Sequence, residues 1–217
     1  GENKLQLIQN KHRLDKNLMS SEHQVLFASI SLKLKKKKLN ILEIGTFDGF
    51  NSFLLSQLFP ESRILTIDLP KNDEAFKNTY RRSEKKTFLN KLKIRNNFIK
   101  KSSNVKFMEL NSIFLTFFKK KFDLVWIDGA HGYPFATIDI INSLRMLNAS
   151  GIILCDDVFV KKLQKTDKYY YSNSTIETLN ELEKCKCINF SLFYKRTNKL
   201  SNFDPSKRKF IALVKKL

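Results

Sequence analysis

The chain is poor in acid, glycine, proline and cysteine: its 217 residues include 21 Asp+Glu against 40 Lys+Arg, with six Gly, four Pro and three Cys. Each shortage excludes something. Cys155, Cys185 and Cys187 are odd in number and lack the spacing of a zinc cluster or a disulfide framework, so a reducing, cytoplasmic setting is expected. There is no internal repeat and no long Pro/Gly/Ser linker to divide the chain. No apolar run reaches the roughly 20 residues that a membrane-spanning helix needs. The opening stretch GENKLQLIQNKHRLDKN has no signal-peptide core, and no membrane partner is expected. What remains is 42% hydrophobic, which suits one globular domain with a real core.

The shortage of acid leaves a formal charge of +19. One reading is an electrostatic footprint for nucleic acid or another anionic partner. The other is codon bias, since the chain is heavy in Lys, Asn, Ile and Phe, with 19 Phe. Lys35 to Lys38 form one basic run and Arg81 to Lys101 a broader one, while the remaining lysines are scattered. Neither an RGG-type tract nor a basic helix with aromatics at stacking intervals is present. Codon bias therefore explains the total better, and residues 81–101 remain a candidate substrate-facing surface.

Loose helical spacing of Leu5, Ile8, Leu14 and Leu18 predicts helix over residues 3–34, with a second segment from Ser21 to Leu34 capped near Ser20 or Ser21. The pattern then changes. LNILEIG, RILTIDL, VKFMELN, FDLVWIDG and GIILCDDV are short apolar runs. Between them lie NSFLLSQLF, a charged and mostly helical 71–101, IFLTFFKK as a short helix or turn, and YPFATIDIINSLRML as a helix. Apolar strands alternating with helices indicate an α/β, Rossmann-like and mostly parallel sheet covered on both faces. CINFSLFYKRTNKL and KFIALVKKL are expected to add an antiparallel C-terminal hairpin at the sheet edge. Such sheets bind ligands at the carboxyl ends of their strands.

The first strand runs into LEIGTFDGFNS, which places Glu43, Gly45, Gly49 and Ser52 at a strand-to-helix turn. The spacing G-x-x-x-G is neither the dinucleotide fingerprint nor a phosphate-binding loop. Asp68 ends the next strand, at the distance where an acid grips ribose hydroxyls. A ligand with ribose and without pyrophosphate fits better than NAD. The plain alternative is a tight turn in some other Rossmann-like protein.

This stretch resembles the class I S-adenosylmethionine-dependent methyltransferases, whose first motif reads acid-x-Gly-x-x-x-Gly and whose second strand ends in an acid. The resemblance covers roughly Leu39 to Val158. It implies a seven-stranded sheet, with residues 39–217 as the methyltransferase domain behind an N-terminal helical segment, 1–38. It further implies that the cofactor lies against Glu43, Gly45, Thr46, Phe47, Gly49, Ser52, Asp68, Leu69, Asn111, Ser112, Asp128 and Gly129. In that arrangement the loop holds the methionine end, Asp68 the ribose, and Asn111 or Ser112 the adenine.

The scarce carboxylates return at two further strand ends. Within FDLVWIDGAHGYPFATIDIINSLRMLNASGIILCDDVF, Phe122 to Phe159, Asp128 and His131 close one strand and Asp156 and Asp157 close the next. A carboxylate beside an apolar core is costly unless it is exposed, paired or bound to a cation. Neighbouring strands lie about 5 Å apart, so these ends converge. Three carboxylates with room for water suit Mg²⁺. The plain alternatives are a turn cap for Asp128, a solvated loop for His131, and an ion pair between Asp156 and one of the many lysines.

D-x-x-H followed by CDDV resembles the metal-dependent O-methyltransferases, especially the branch that acts on sugars and macrolides. That resemblance implies Asp128, Asp156 and Asp157 as metal ligands, with Asp128 and His131 at the catalytic centre and His131 as general base. The expected activity is Mg²⁺-assisted methylation of a hydroxyl on a small molecule, a sugar among the candidates. The alternatives are a nucleic-acid-binding protein or RNA methyltransferase that uses the strongly basic surface, or a non-catalytic module that retains the fold; a homo-oligomer is compatible with any of them. His12 and His23 are assigned no role, Trp126 a place in the core, and Tyr133 and Phe135 either a pocket wall or helix packing. Tyr169 to Tyr171 are read as a polar loop, either a lid or a loop without a role.

Overall fold

The computed structural model describes residues 1–12, 22–34, 38–79, 83–167, 169–195 and 208–217. The cap expected at Ser20 or Ser21 lies outside them. Two helices, α1 (Glu2–His12) and α2 (Glu22–Lys33), precede the sheet. Five strands follow with helices between them: β1 (Asn40–Ile44), α3 (Phe50–Leu58), β2 (Arg63–Asp68), α4 (Glu74–Asn78), α5 (Lys85–Lys100) and β3 (Val105–Glu109). A 3-10 turn (Ser112–Phe117) leads to β4 (Phe122–Ile127), α6 (Phe135–Met146) and β5 (Leu147–Phe159). Helix α7 (Ser174–Lys184), β6 (Ile188–Lys195) and β7 (Lys209–Lys216) complete the chain.

The seven strands form one sheet in the order β3-β2-β1-β4-β5-β7-β6. Pairing is parallel from β3 to β5 and antiparallel around β7, which inserts between β5 and the edge strand β6. The expected hairpin is therefore present. The strand order reverses between β1 and β4, which makes their carboxyl ends the natural binding crevice.

Side chains alternate across a strand, so each strand feeds two cores. Leu42, Ile44, Leu65, Ile67, Val125, Ile127, Ile153 and Cys155 pack on one face with Ile140 and Met146 of α6 and Ile176 and Leu179 of α7. Ile41, Ile64, Leu124, Trp126 and Leu154 pack on the other with Leu54, Leu55 and Leu58 of α3. Leu5 and Ile8 of α1 and Phe27, Ala28 and Ile30 of α2 join that second core. Strands buried on both faces explain why they read as continuous apolar runs rather than as an alternation.

The same alternation decides where the acids point. Glu43, Asp128 and Asp156 each lie two residues beyond a member of the second core, namely Ile41, Trp126 and Leu154. They therefore share the face covered by α1, α2 and α3. Helix α7 had no counterpart among the sequence expectations, although Ile176, Leu179 and Leu182 recur at threefold spacing and all pack on the first core. Among the described residues no helix is long and apolar enough to cross a membrane. All three cysteines are free thiols, Cys155 buried and Cys185 and Cys187 exposed.

Candidate active site at the carboxyl edge of the sheet

Strand β1 ends at Ile44, and from Gly45 the chain turns under strong constraint. Gly45 has φ 101, Phe47 φ 49 and Gly49 φ 78, three left-handed residues in a five-residue loop. A Cβ on Gly45 would stand 2.1 Å from the carbonyl oxygen of Asp128, so β1 and β4 approach as closely as they do only because none is there. Phe47, which lacks that freedom, is held by its N–H donating to Asp68 Oδ2 at 2.9 Å. The other oxygen of Asp68 accepts the Leu69 N–H at 2.8 Å. Gly49 caps α3, and a Cβ there would press on the Arg95 carbonyl at 3.1 Å.

Beneath the loop lies Glu43, fully buried. Its carboxylate accepts from Asn51 Nδ2 at 2.7 Å, from Thr66 Oγ1 at 2.6 Å and from Ser52 Oγ. Burial pushes the Glu43 carboxyl up to about 7 against the pull of those three donors. Thr46 Oγ1 meets Thr66 Oγ1 at 2.6 Å, tying the loop to β2.

The expected cofactor set thus divides in two. Glu43, Thr46, Gly49 and Ser52 are buried and support the turn from below. Gly45, Phe47, Asp68, Leu69, Asn111, Ser112, Asp128 and Gly129 are partly exposed along the carboxyl edges of β3, β2, β1 and β4. Asn111 spends its Oδ1 on the Ile113 N–H, capping the 3-10 turn at 3.1 Å. The cradle opened at Gly45 and the carboxylate at the end of β2 fit a cofactor carrying an amino-acid end and a ribose.

On the other side of Gly45, the end of β4 meets the end of β5. His131 is 6% exposed, and its Nε2 lies 3.8 Å from Asp128 Oδ1 and 3.9 Å from Asp157 Oδ2. Its backbone N–H donates to the Tyr169 carbonyl at 3.1 Å, so the tyrosine loop lies against it. Burial lowers the His131 pKa, and the Asp157 and Asp156 charges only partly restore it. Burial, reinforced by Asp156, holds the Asp128 carboxyl well above the usual carboxylate range.

Consecutive strand residues normally point to opposite faces, yet Asp156 and Asp157 both meet one ammonium. A bulge makes this possible: the β5–β7 register shifts between Cys155 and Val158, and Asp157 takes φ 51. Lys195 Nζ donates to Asp156 Oδ1 at 2.7 Å, Asp156 Oδ2 at 2.6 Å and Asp157 Oδ1 at 2.7 Å. Lys209 Nζ donates to Asp157 Oδ2. Burial opposes ionisation of Asp157, but Lys195 and Lys209 outweigh it and hold its carboxyl well below the usual range.

The structure brings the expected metal ligands Asp128, Asp156 and Asp157 to one place, but the set does not suit a divalent ion. Every oxygen of the Asp156–Asp157 pair already accepts from a lysine. Among the described residues no group of three His, Cys, Asp or Glu side chains stands ready to hold a metal. The ion pair posed as the plain alternative for Asp156 is the arrangement found.

Sequence reasoning missed Lys195 and Lys209, and it also missed His23. That histidine is 2% exposed and lies against Trp126, with ring centroids 5.3 Å apart. Burial pushes it down to about 4, and the charges of Asp156, Lys195 and Asp157 all reach it. Helix α2 therefore walls the acid cluster. No local signal marks these residues, because each meets the site only through the fold. Tyr133 is 75% exposed and Phe135 37%, so core packing does not account for either.

Comparison with known proteins bears on the family and the fold. The profile of a family described as a methyltransferase domain matches residues 42–158, more than half of the chain. No curated protein matches by sequence. The O-methyltransferase TomG from Streptomyces achromogenes, solved with S-adenosylmethionine, superposes with TM-score 0.56 at 15% identity over 99% of this chain and 88% of that one. A precorrin-6y C5,15-methyltransferase from Geobacter metallireducens gives 0.58 at 18% identity, covering 90% and 88%. An rRNA methylase from Streptococcus thermophilus gives 0.53 at 11% identity, covering 90% and 94%. With its strand order, its glycine loop and this profile match, the chain belongs to the methyltransferase domain family and is an S-adenosylmethionine-dependent methyltransferase of the class I fold.

Proposed function

We propose that the chain methylates a hydroxyl oxygen of a small molecule, with a sugar among the candidate acceptors. The observation that carries this reading is His131, a buried imidazole between the Asp128 and Asp157 carboxylates at the mouth of the crevice. S-adenosylmethionine, when bound, supplies an electrophilic methyl group on a sulfonium. Gly45 and Phe47 would receive its amino-acid end, Asp68 its ribose, and Asn111 and Ser112 its adenine. His131, its pKa lowered by burial, is neutral near pH 7 and takes the acceptor's proton at Nε2. Asp157, kept ionised by Lys195 and Lys209, stabilises the imidazolium that forms. Because Lys195 and Lys209 hold the oxygens expected to bind Mg²⁺, no step here runs through a metal. The proposed setting is the cytoplasm.

The test is calorimetric titration of S-adenosylhomocysteine, followed by an acceptor screen with the wild type and His131→Ala. Binding of S-adenosylhomocysteine to both proteins, with transfer to a hydroxyl lowered about 10²- to 10⁴-fold in the variant, is the expected result. Equal turnover by the two proteins would remove His131 from the chemistry.

A second reading has its own observations. The charge is +19, and α5 displays exposed Lys85, Lys86, Lys93 and Lys100. One of the superposed structures is an rRNA methylase. RNA as acceptor would show in filter binding whose affinity falls steeply with salt. Weak binding without sequence or structure preference returns the charge to composition.

A further inference from the structure

We infer that Lys195 is a built-in cation of this active site, standing between Asp156 and Asp157 in place of a divalent ion, so that the enzyme binds its cofactor and works without metal. The inference rests on the methyl-transfer reading for the site's purpose, and on the lysine contacts alone for the absence of a metal requirement.

An ammonium has three N–H donors and no acceptor. Lys195 finds three carboxylate oxygens at 2.7, 2.6 and 2.7 Å, so every donor is used. Its side chain is only 9% exposed, and Asp156 is 4% exposed. A buried lysine with all its donors satisfied is a built site, unlike a mobile surface lysine that happens to lie near an acid. The fourth oxygen of the aspartate pair carries Lys209, whose side chain is 30% exposed and forms the solvent side of the cluster.

Charge and shape point the same way. Asp156 and Asp157 face two ammonium groups, so the pair is balanced within the chain. Mg²⁺ demands near-ideal octahedral oxygen ligands at about 2.0–2.1 Å and keeps several waters. To enter, it would have to displace Lys195 and leave that ammonium buried beside a divalent charge. The β5 bulge that turns Asp157 onto Lys195 serves the lysine: without it the two carboxylates would point to opposite faces of the sheet. Among the described residues the Lys195 ammonium donates to the two aspartates, so it is a positioning residue that holds Asp156 and Asp157, and through Asp157 the side of His131.

The deciding experiment is titration of Mg²⁺, and separately Mn²⁺ followed by electron paramagnetic resonance, into the wild-type chain with and without S-adenosylhomocysteine. No saturable binding below about 1 mM is expected, and S-adenosylhomocysteine should bind equally in EDTA and in Mg²⁺. Lys195→Met frees three oxygens and should bind Mn²⁺ at least about tenfold more tightly than the wild type. Lys195→Arg keeps a cation in place and should stay metal-free. One Mn²⁺ per wild-type chain, lost in Asp156→Asn, overturns the inference and restores a metal site. The wild-type titration decides the matter even where Lys195→Met fails to fold. Absence of S-adenosylhomocysteine binding under every condition would instead sink the methyl-transfer reading, and the metal titration would still report on Lys195.

Discussion

The Cβ that Gly45 lacks would lie 2.1 Å from the carbonyl oxygen of Asp128. The two strands that frame the crevice are thus held together by a missing atom, and the cofactor loop and the acid cluster share that point.

Gly45→Ala should therefore do more than strain a turn. At φ 101 an alanine is disfavoured, and the contact with Asp128 forces β4 away. Thermal denaturation should show a loss of about 2–4 kcal/mol, and S-adenosylhomocysteine affinity should fall more than about 100-fold. Wild-type affinity in the alanine variant would show that the approach of β1 to β4 is not what shapes the site.

Trp126 predicts an asymmetry between two truncations. Its indole is fully buried against Phe27 and His23, yet Nε1 has no hydrogen-bond partner among the described residues. Trp126→Ala should destabilise by about 3–5 kcal/mol. Trp126→Phe also leaves a cavity, but it removes a buried donor that costs about 1–3 kcal/mol unpaired. Urea denaturation should place the phenylalanine variant within about 1 kcal/mol of the wild type.

His23 sets an acid limit on stability. Burial lowers its pKa from 6.5 to about 4, so the folded chain binds fewer protons than the unfolded chain between those values. The contribution is intact above pH 6.5 and is lost as pH falls towards 4, about 3 kcal/mol in all. His23→Gln should lose less stability between pH 7 and pH 4 than the wild type does, as read by urea denaturation at each pH. Parallel losses in the two proteins would show that His23 is protonated in the fold.

Asp139 acts at the other end. It is 1% exposed on α6, and burial pushes its carboxyl up to about 7. The folded chain holds that proton more tightly, so the contribution is present below the unfolded value and is lost as pH rises through 7. Between pH 5 and pH 8 the wild type should lose about 2 kcal/mol more than Asp139→Asn. Equal pH slopes would place the charged carboxylate in a better-solvated position than the one seen.

The strands were legible because burial on both faces removes ambiguity: NILEI and FDLVWI have few other ways to be satisfied. Gly45, Gly49, Asp68 and Asp128 were legible for a related reason, since a turn that needs positive φ and a strand that ends in an acid leave local marks. What remained hidden is non-local. Nothing separates Lys195 and Lys209 from the rest of the 40 basic residues until β7 inserts beside β5. His23 reads as an ordinary helix residue until α2 packs over Trp126. Glu43 and Ser52 could be placed at the loop from sequence, but only the fold shows that they bond to each other below it.

Lys195 and Lys209 are opposite each other in the β6–β7 ladder, the last residue of one strand facing the first of the next. A slip of one residue would send a strand's side chains to the other face of the sheet. The electrostatics of this pocket are therefore written in strand alignment, and an edge hairpin that looks like mere closure of the sheet governs the cation that the aspartates receive. A lineage could change the metal requirement of such an enzyme by altering how two strands meet, with every aspartate left in place.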